Sequence, residues 1–169
     1  DPVPAGQPAK AIRVRSLFAS TAYYRASVQT DSQGQAKLTI KMPDNLTTFS
    51  VMVVAVDLNS PGRFGNGEAQ VTVRKPLLLR PALPRFGNYG DKFLASVLVN
   101  NETGKDGKVE VLIRGINLRF TGPTKKTVAI PAGETKEVLF PVAVDKTGIA
   151  RIQFAAILGD ATDAVERKI

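Results

Sequence analysis

Breakers constrain this chain more than any other feature. Its 169 residues include 11 prolines and 14 glycines, which interrupt most of the chain at short intervals. Proline removes the amide donor that a helix turn needs, and glycine carries the largest backbone entropy cost. No segment between the breakers shows a 3.6-residue period. Short apolar–polar alternation recurs instead, the period of half-buried β-strands. The chain therefore reads as all-β.

Residues 1–10, with prolines at 2, 4 and 8, read as an extended linker without the basic and apolar regions of a signal peptide. They have the look of a segment cut from a longer chain. From Ala11 to Ala19 the alternation Ile12-Arg13-Val14-Arg15-Ser16-Leu17 predicts a strand, and Ala22–Thr30 a second one containing Tyr23, Tyr24 and Val28. Asp31-Ser32-Gln33-Gly34 is a turn that leads into Gln35–Met42, where Ala36, Leu38, Ile40 and Met42 share one face. Thr48–Leu58 and Ala69–Arg74 complete the first block, joined by a loop with Asn59, Pro61, Gly62, Gly65 and Gly67. In the second block, Leu77–Leu79 lies among Pro76, Pro81 and Pro84, which suits an edge strand. Phe93–Asn100, Lys108–Arg114, Leu118–Phe120, Lys126–Ile130, Lys136–Val144, Gly148–Leu158 and Ala164–Ile169 follow, with a tight turn at Pro131-Ala132-Gly133. Many short strands separated by turn signals predict antiparallel sandwiches. Residues 75–169 have room for a complete seven-stranded one, whereas 11–74 supply only part of one.

Composition narrows the chemistry. With 43% hydrophobic residues, a chain of this size buries roughly 70% of its unfolded surface and folds without staples. Cysteine, histidine and tryptophan are all absent. That removes disulfides, the usual zinc ligands and Ser-His or Cys-His nucleophile pairs. The net charge of +8 comes from dispersed residues, with clusters no longer than Arg74-Lys75 or Lys125-Lys126. With aromatics at only 7% there is no stacking platform either, so nucleic acid is not an expected partner. No stretch approaches the ~20 apolar residues of a membrane-spanning helix.

The densest local signal is Pro43-Asp44-Asn45-Leu46-Thr47-Thr48-Phe49, a turn that runs into the apolar Val51–Val56. Proline presets φ, and the short side chains of Asp44 and Asn45 can bond to local backbone. The run after it is too apolar for an exposed strand and reads as core. Leu83-Pro84-Arg85-Phe86 and Gly90-Asp91 open the second block. Placed after Phe18, Tyr23-Tyr24 and Thr30-Asp31 with Gly34, and with Phe64-Gly65 and Val71–Leu77 between them, these motifs resemble the α2-macroglobulin family, in particular its bacterial members. The similarity runs over nearly the whole chain from about Ala11 and falls just after the family's bait region.

That resemblance implies two consecutive macroglobulin-like domains of fibronectin type III-like topology. Residues 11–74 would be the C-terminal part of a sandwich interrupted upstream by the bait, and 75–169 a complete sandwich. It implies a structural scaffold in a periplasmic, broad-spectrum protease inhibitor that traps proteases once its bait is cleaved. The partners would be neighbouring domains of the parent chain and, through the whole protein, target proteases. Membrane anchoring would fall to the parent. The family's thioester, a cysteine a few residues from a Glu-Gln pair, is not in this chain; it would lie downstream, or the parent would belong to the group without it. The expectation is therefore a non-enzyme with no cofactor, metal or catalytic residue, whose signature residues Pro43, Asp44, Asn45, Leu46, Thr47, Phe49, Leu83, Pro84, Arg85, Phe86, Gly90 and Asp91 are structural.

Other readings of single residues are weaker. Arg85 and Phe86 suit an interface anchor as well as a domain junction. Tyr23 and Tyr24 would place one ring in the core and one outside. Asn45-Leu46-Thr47 and Asn101-Glu102-Thr103 match glycosylation sequons, which arise often by chance. Asp91, Asp106, Glu110, Asp145 and Asp160 lack the spacing of a calcium loop. Gly62–Gly67 lacks the strand-to-helix setting of a phosphate loop. A tandem-sandwich adhesin or surface binding module is the alternative function, and a carboxylate glycosidase a distant third.

Overall fold

The computed structural model describes residues 12–58, 60 and 62–169. Among them are eleven strands, in two compact units. One unit comprises the described residues up to Ser16 together with Lys75–Ile169, and the other is Leu17–Arg74.

The larger unit is a β-sandwich. One sheet has the order β1-β11-β10-β6-β8, from Val14–Arg15, Ala161–Lys168, Arg151–Leu158, Gly107–Ile116 and Lys125–Ile130. The other has the order β4-β5-β9-β7, from Leu77–Ala82, Lys92–Asn101, Thr135–Ala143 and Arg119–Phe120. Every pairing is antiparallel except β1 with β11. Residues 75–169 contribute β4 to β11, of which β7 has only two residues. Successive side chains point to opposite faces, so Ile152, Phe154 and Ala156 of β10 and Val109, Val111 and Ile113 of β6 all turn inward. They meet Leu77, Leu79, Val97, Val99, Phe140 and Val142 from the opposite sheet. The Phe140 and Phe154 rings lie 6.2 Å apart and tilted by 52°, an edge-biased pairing that suits their quadrupoles. Strand β4 is an edge, as its prolines require: Pro81 pairs with Val97 and needs no outward donor.

Turn chemistry closes the sandwich. Pro131 O accepts from Glu134 N at 3.2 Å across Gly133, whose φ of 76° only glycine adopts readily. Gly90, at φ 90°, donates to Val144 O at 2.8 Å, and Asp91 folds back on Asn88 through both its amide and its carboxylate.

The smaller unit is built on one hairpin, β2 (Thr48–Val56) with β3 (Phe64–Thr72), in register from Thr48↔Thr72 to Val56↔Phe64. Thr47 O accepts from Val73 N at 2.9 Å, and the two threonine hydroxyls of Thr48 and Thr72 meet at 2.9 Å. Gly65 and Gly67, expected in the loop, belong to β3 opposite Ala55 and Val53.

Several expectations are corrected here. Ala22–Thr30 and Gln35–Met42 form no strands. The turn between them does form, with Asp31 Oδ1 accepting from Gln33 N and Gln35 N at 2.9 Å each, but alternation without a ladder partner makes no strand. Tyr23 and Tyr24 are both exposed, because no sheet there has a buried face. The run expected to be core is the most exposed apolar strand of the chain: Met52 is 75% exposed, Val54 74% and Val56 64%. A lone two-stranded ribbon has no second layer to cover either face. The predicted boundary at residue 11 also differs from the grouping of Val14–Arg15 with the sandwich. The linker assigned to residues 1–10 lies outside the described residues.

Candidate functional site

The most elaborate polar cluster of the sandwich surrounds Asp163 of β11, whose side chain is fully buried. Alternation along Ala161–Lys168 would have placed either Asp163 or its neighbours inward; here Asp163, Ala164 and Val165 are all buried, because β1 covers the strand's edge. Arg15 reaches the carboxylate with two nitrogens, Nε to Oδ1 at 2.8 Å and Nη2 to Oδ2 at 2.6 Å. This is the two-pronged geometry a planar guanidinium allows and an ammonium does not. Arg15 Nη2 also donates to Leu79 O at 2.9 Å. Lys75 Nζ reaches Asp163 Oδ1 at 3.0 Å, and Leu79 N donates to Oδ2 at 2.9 Å. Two cations and a backbone amide thus converge on one carboxylate, which is what keeps a buried charge tolerable. Burial first, and then the charge of Arg15, hold the Arg167 guanidinium below its ordinary range. It stays charged, since arginine does not deprotonate in proteins.

Position in the chain gives the cluster its interest. Arg15 is the penultimate residue before the chain passes into the 17–74 unit, and Lys75 is the first residue after it returns. Both crossings are fastened to the same carboxylate. Sequence reasoning missed all three residues. Arg15 was read as the polar side of an alternating strand, and the last strand was started at Ala164.

The signature residues fall into two separate groups. In the smaller unit, Pro43 is buried and Asp44, Asn45, Leu46 and Phe49 are half-buried, while Thr47 is exposed. Asp44 and Asn45 bond to backbone far upstream. Asp44 exchanges bonds with Leu17, accepting from its amide at 3.0 Å through Oδ2 and donating to its carbonyl at 2.7 Å, while Asn45 Oδ1 accepts from Ala19 N at 3.0 Å. The turn therefore clamps a segment more than twenty residues upstream. In the sandwich, Leu83 is half-buried, Pro84 and Arg85 are exposed, and Phe86 is 74% exposed. Gly90 and Asp91 hold the turn to Val144.

Among the described residues no three acids gather as metal ligands. Asp106 accepts from Ala132 N at 2.9 Å, Glu110 pairs with Lys125 at 2.8 Å, and Asp145 pairs with Arg119 at 3.0 Å. One open hollow is lined by Arg25, Val28, Asp31, Lys37 and Leu38 of the smaller unit, another by Phe86, Tyr89, Asn117, Lys146 and Ile169 at one end of the sandwich. The Asn101 sequon is a structural element, because the side chain is fully buried and its amide donates to Lys105 O and Ile130 O. No described helix is long and apolar enough to cross a membrane.

Comparison with known proteins places this architecture. The model of the alpha-2-macroglobulin family matches residues 21–113. An alpha-2-macroglobulin homolog of Nostoc sp. is 39% identical over 158 residues, 91% of this chain and 8% of that protein. The alpha-2-macroglobulin of Xylella fastidiosa strain Temecula1 is 26% identical over 77% of the chain and 8% of its own length. Among solved structures, trypsin-activated Escherichia coli alpha-2-macroglobulin superposes with a TM-score of 0.71 at 24% identity, over 84% of this chain and 10% of that one. The native conformation of the same protein gives 0.69 over 84% and 9%. The chain thus spans less than a tenth of the curated relatives named here. It belongs to the alpha-2-macroglobulin family.

Proposed function

We propose that the chain is a scaffold part of a bacterial, broad-spectrum protease inhibitor of the alpha-2-macroglobulin type, which traps proteases after cleavage of its bait. Its work is mechanical: the sandwich is a rigid frame, and the 17–74 unit is completed by other parts of the parent. The observation that carries this reading is the exposed apolar ribbon, with Met52, Val53, Val54 and Val56 each more than half exposed. Contiguous apolar surface of this kind marks an interface and not a finished surface. Exposed Phe86 and Tyr89, and Arg85 beside them, supply further candidate contacts with neighbouring domains. A non-catalytic role is supported by acids engaged in turns and salt bridges, and a periplasmic location by the bacterial family setting. The two macroglobulin-like domains would be residues 11–74, in part, and 75–169, with the signature residues from Pro43 to Asp91 as structural positions.

The test compares the parent protein with a parent carrying Met52→Lys and Val54→Lys, in an assay of trypsin against a large protein substrate. The parent is expected to shield the large substrate, the double variant to lose most of that shielding, and the 169-residue chain alone to leave trypsin uninhibited. Full shielding by the variant, or inhibition by the isolated chain, would sink the scaffold reading.

A further inference from the structure

We propose that β1 is a releasable strap, with Asp163 as its catch and Lys75 as the counter-charge that keeps the sandwich whole when the strap lets go. Among the described residues, β1 commits little backbone to the sheet. It adds to the sheet in parallel over two residues, Val14 opposite Ala164 and Arg15 opposite Val165, whereas β10 and β11 pair antiparallel over eight. Parallel pairing is also slightly weaker per residue. The strand contributes no large apolar side chain to the fully buried core, which comes instead from strands β4 to β11. What β1 inserts is Arg15, a guanidinium that water solvates well once it is freed.

A strap of this kind works only if its socket survives emptying. A buried carboxylate that loses its sole partner is strongly destabilising, because the charge stays desolvated. Asp163 is not in that position. With Arg15 withdrawn, Lys75 Nζ still lies 3.0 Å from Oδ1 and Leu79 N still lies 2.9 Å from Oδ2. The Lys75 side chain is 31% exposed, so its ammonium sits on a path to solvent through which water can replace the lost guanidinium. Arg15 and Lys75 are thus unequal partners. One is a buried two-pronged ligand that arrives with the strap, and the other is a flexible point charge anchored in the sandwich itself.

The same layout gives the strap a direction of pull. Lys75 fixes the returning chain to Asp163 independently of Arg15, so release frees the segment before Leu17 and leaves the crossing at Lys75 in place. That this would pass a break upstream of Ile12 into the sandwich rests on the trap reading. The strap itself does not.

Hydrogen exchange by mass spectrometry on the 169-residue chain tests it, in wild type, Arg15→Ala, Lys75→Ala and the double variant. In Arg15→Ala the segment 12–17 is expected to exchange at least about tenfold faster while β5, β6 and β10 stay within about twofold of wild type. In Lys75→Ala the strap stays protected. In the double variant the core strands exchange faster than the product of the single effects, since Asp163 is left with the Leu79 amide and no cation. The proposal is overturned if Arg15→Ala unfolds the sandwich or accelerates its core as much as the strap. It is equally overturned if the strap is unchanged in that variant, or if the double variant shows no more than the product. None of these outcomes bears on protease shielding by the parent.

Discussion

A single buried amide holds the connection between β5 and β6 together. Asn101 Nδ2 donates to Lys105 O at 2.8 Å and Ile130 O at 2.9 Å, while its Oδ1 accepts from Thr103 N at 3.1 Å and Thr103 Oγ1 at 2.6 Å. Its own backbone accepts from Gly133 N and donates to Glu134 O. The side chain thus joins two turns at one end of the sandwich. Asn101→Ala would lose both bonds donated to Lys105 O and Ile130 O and both bonds accepted from Thr103. We expect a loss of about 2 kcal/mol or more, and a fall in melting temperature of roughly 8–16 °C for a domain of this size, read by thermal unfolding. Asn101→Asp is expected to do comparable damage, since a carboxylate cannot donate to the two carbonyls. Gly115 makes a parallel case through space and not bonding. A Cβ there would stand 2.6 Å from the Arg151 carbonyl oxygen on the neighbouring central strand. Backbone on both sides cannot yield cheaply, so Gly115→Ala should cost about 1–3 kcal/mol in the same melting experiment. A loss below 0.5 kcal/mol in either alanine variant would mean that the turn or the strand pair adjusts freely.

At the scale of elements, the strands with a partner in the chain were legible and those without were not. Alternation located β5, β6, β8, β9 and β10 to within a few residues, because each has a buried face that selects apolar residues at every second position. Prolines around Leu77–Leu79 marked β4 as an edge for the same physical reason that it is one. The Ala36, Leu38, Ile40, Met42 pattern is just as regular, yet no ladder forms there, since a period of two says which face would be buried and nothing about what buries it. The same gap misplaced Val51–Val56: apolarity was read as burial within the chain, where the strand is exposed. Asp163, Arg15 and Lys75 were not legible for a different reason. Their significance lies in three points of the chain meeting, separated by 60 and 88 or more positions, which no local window contains. The ribbon yields a prediction at its own scale. Met52→Lys with Val54→Lys should change the melting of the isolated chain by less than about 0.5 kcal/mol, because both side chains are already largely in water. Light scattering should show less self-association than wild type, since a long apolar edge is a template for pairing. Unchanged association would mean that the ribbon is not the sticky element.

For the molecule as a whole, the contrast between its two units decides how it should unfold. The sandwich carries two interleaved sheets and two packed phenylalanines, with Leu77, Leu79, Val97, Val99, Val109, Val111, Ile152 and Val165 all within 1% of full burial. At about 25 cal/mol for each Å² of apolar surface removed from water, such a core supports cooperative folding. The 17–74 unit has one hairpin, and an isolated two-stranded hairpin is marginal in water at best. Its polar clamp, exposed at Asp44–Leu17 and part-buried at Asn45–Ala19, adds at most of order 1 kcal/mol per bond. Stability in this chain is therefore expected to be strongly uneven. Amides of β5, β6, β9 and β10 should exchange only through global unfolding of the sandwich, with one shared free energy. Amides of β2 and β3 should exchange through local opening at a free energy lower by several kcal/mol, and should be almost insensitive to low denaturant. Native-state exchange across a guanidinium series distinguishes the two classes directly. If β2 and β3 instead followed the sandwich amides with the same slope, the hairpin would be part of one cooperative core. The exposure of Met52, Val54 and Val56 would then have to be reinterpreted as a stable surface of the chain itself. If they exchange early, the ribbon is a marginal element that opens independently of the sandwich, as a lone hairpin with both faces exposed should.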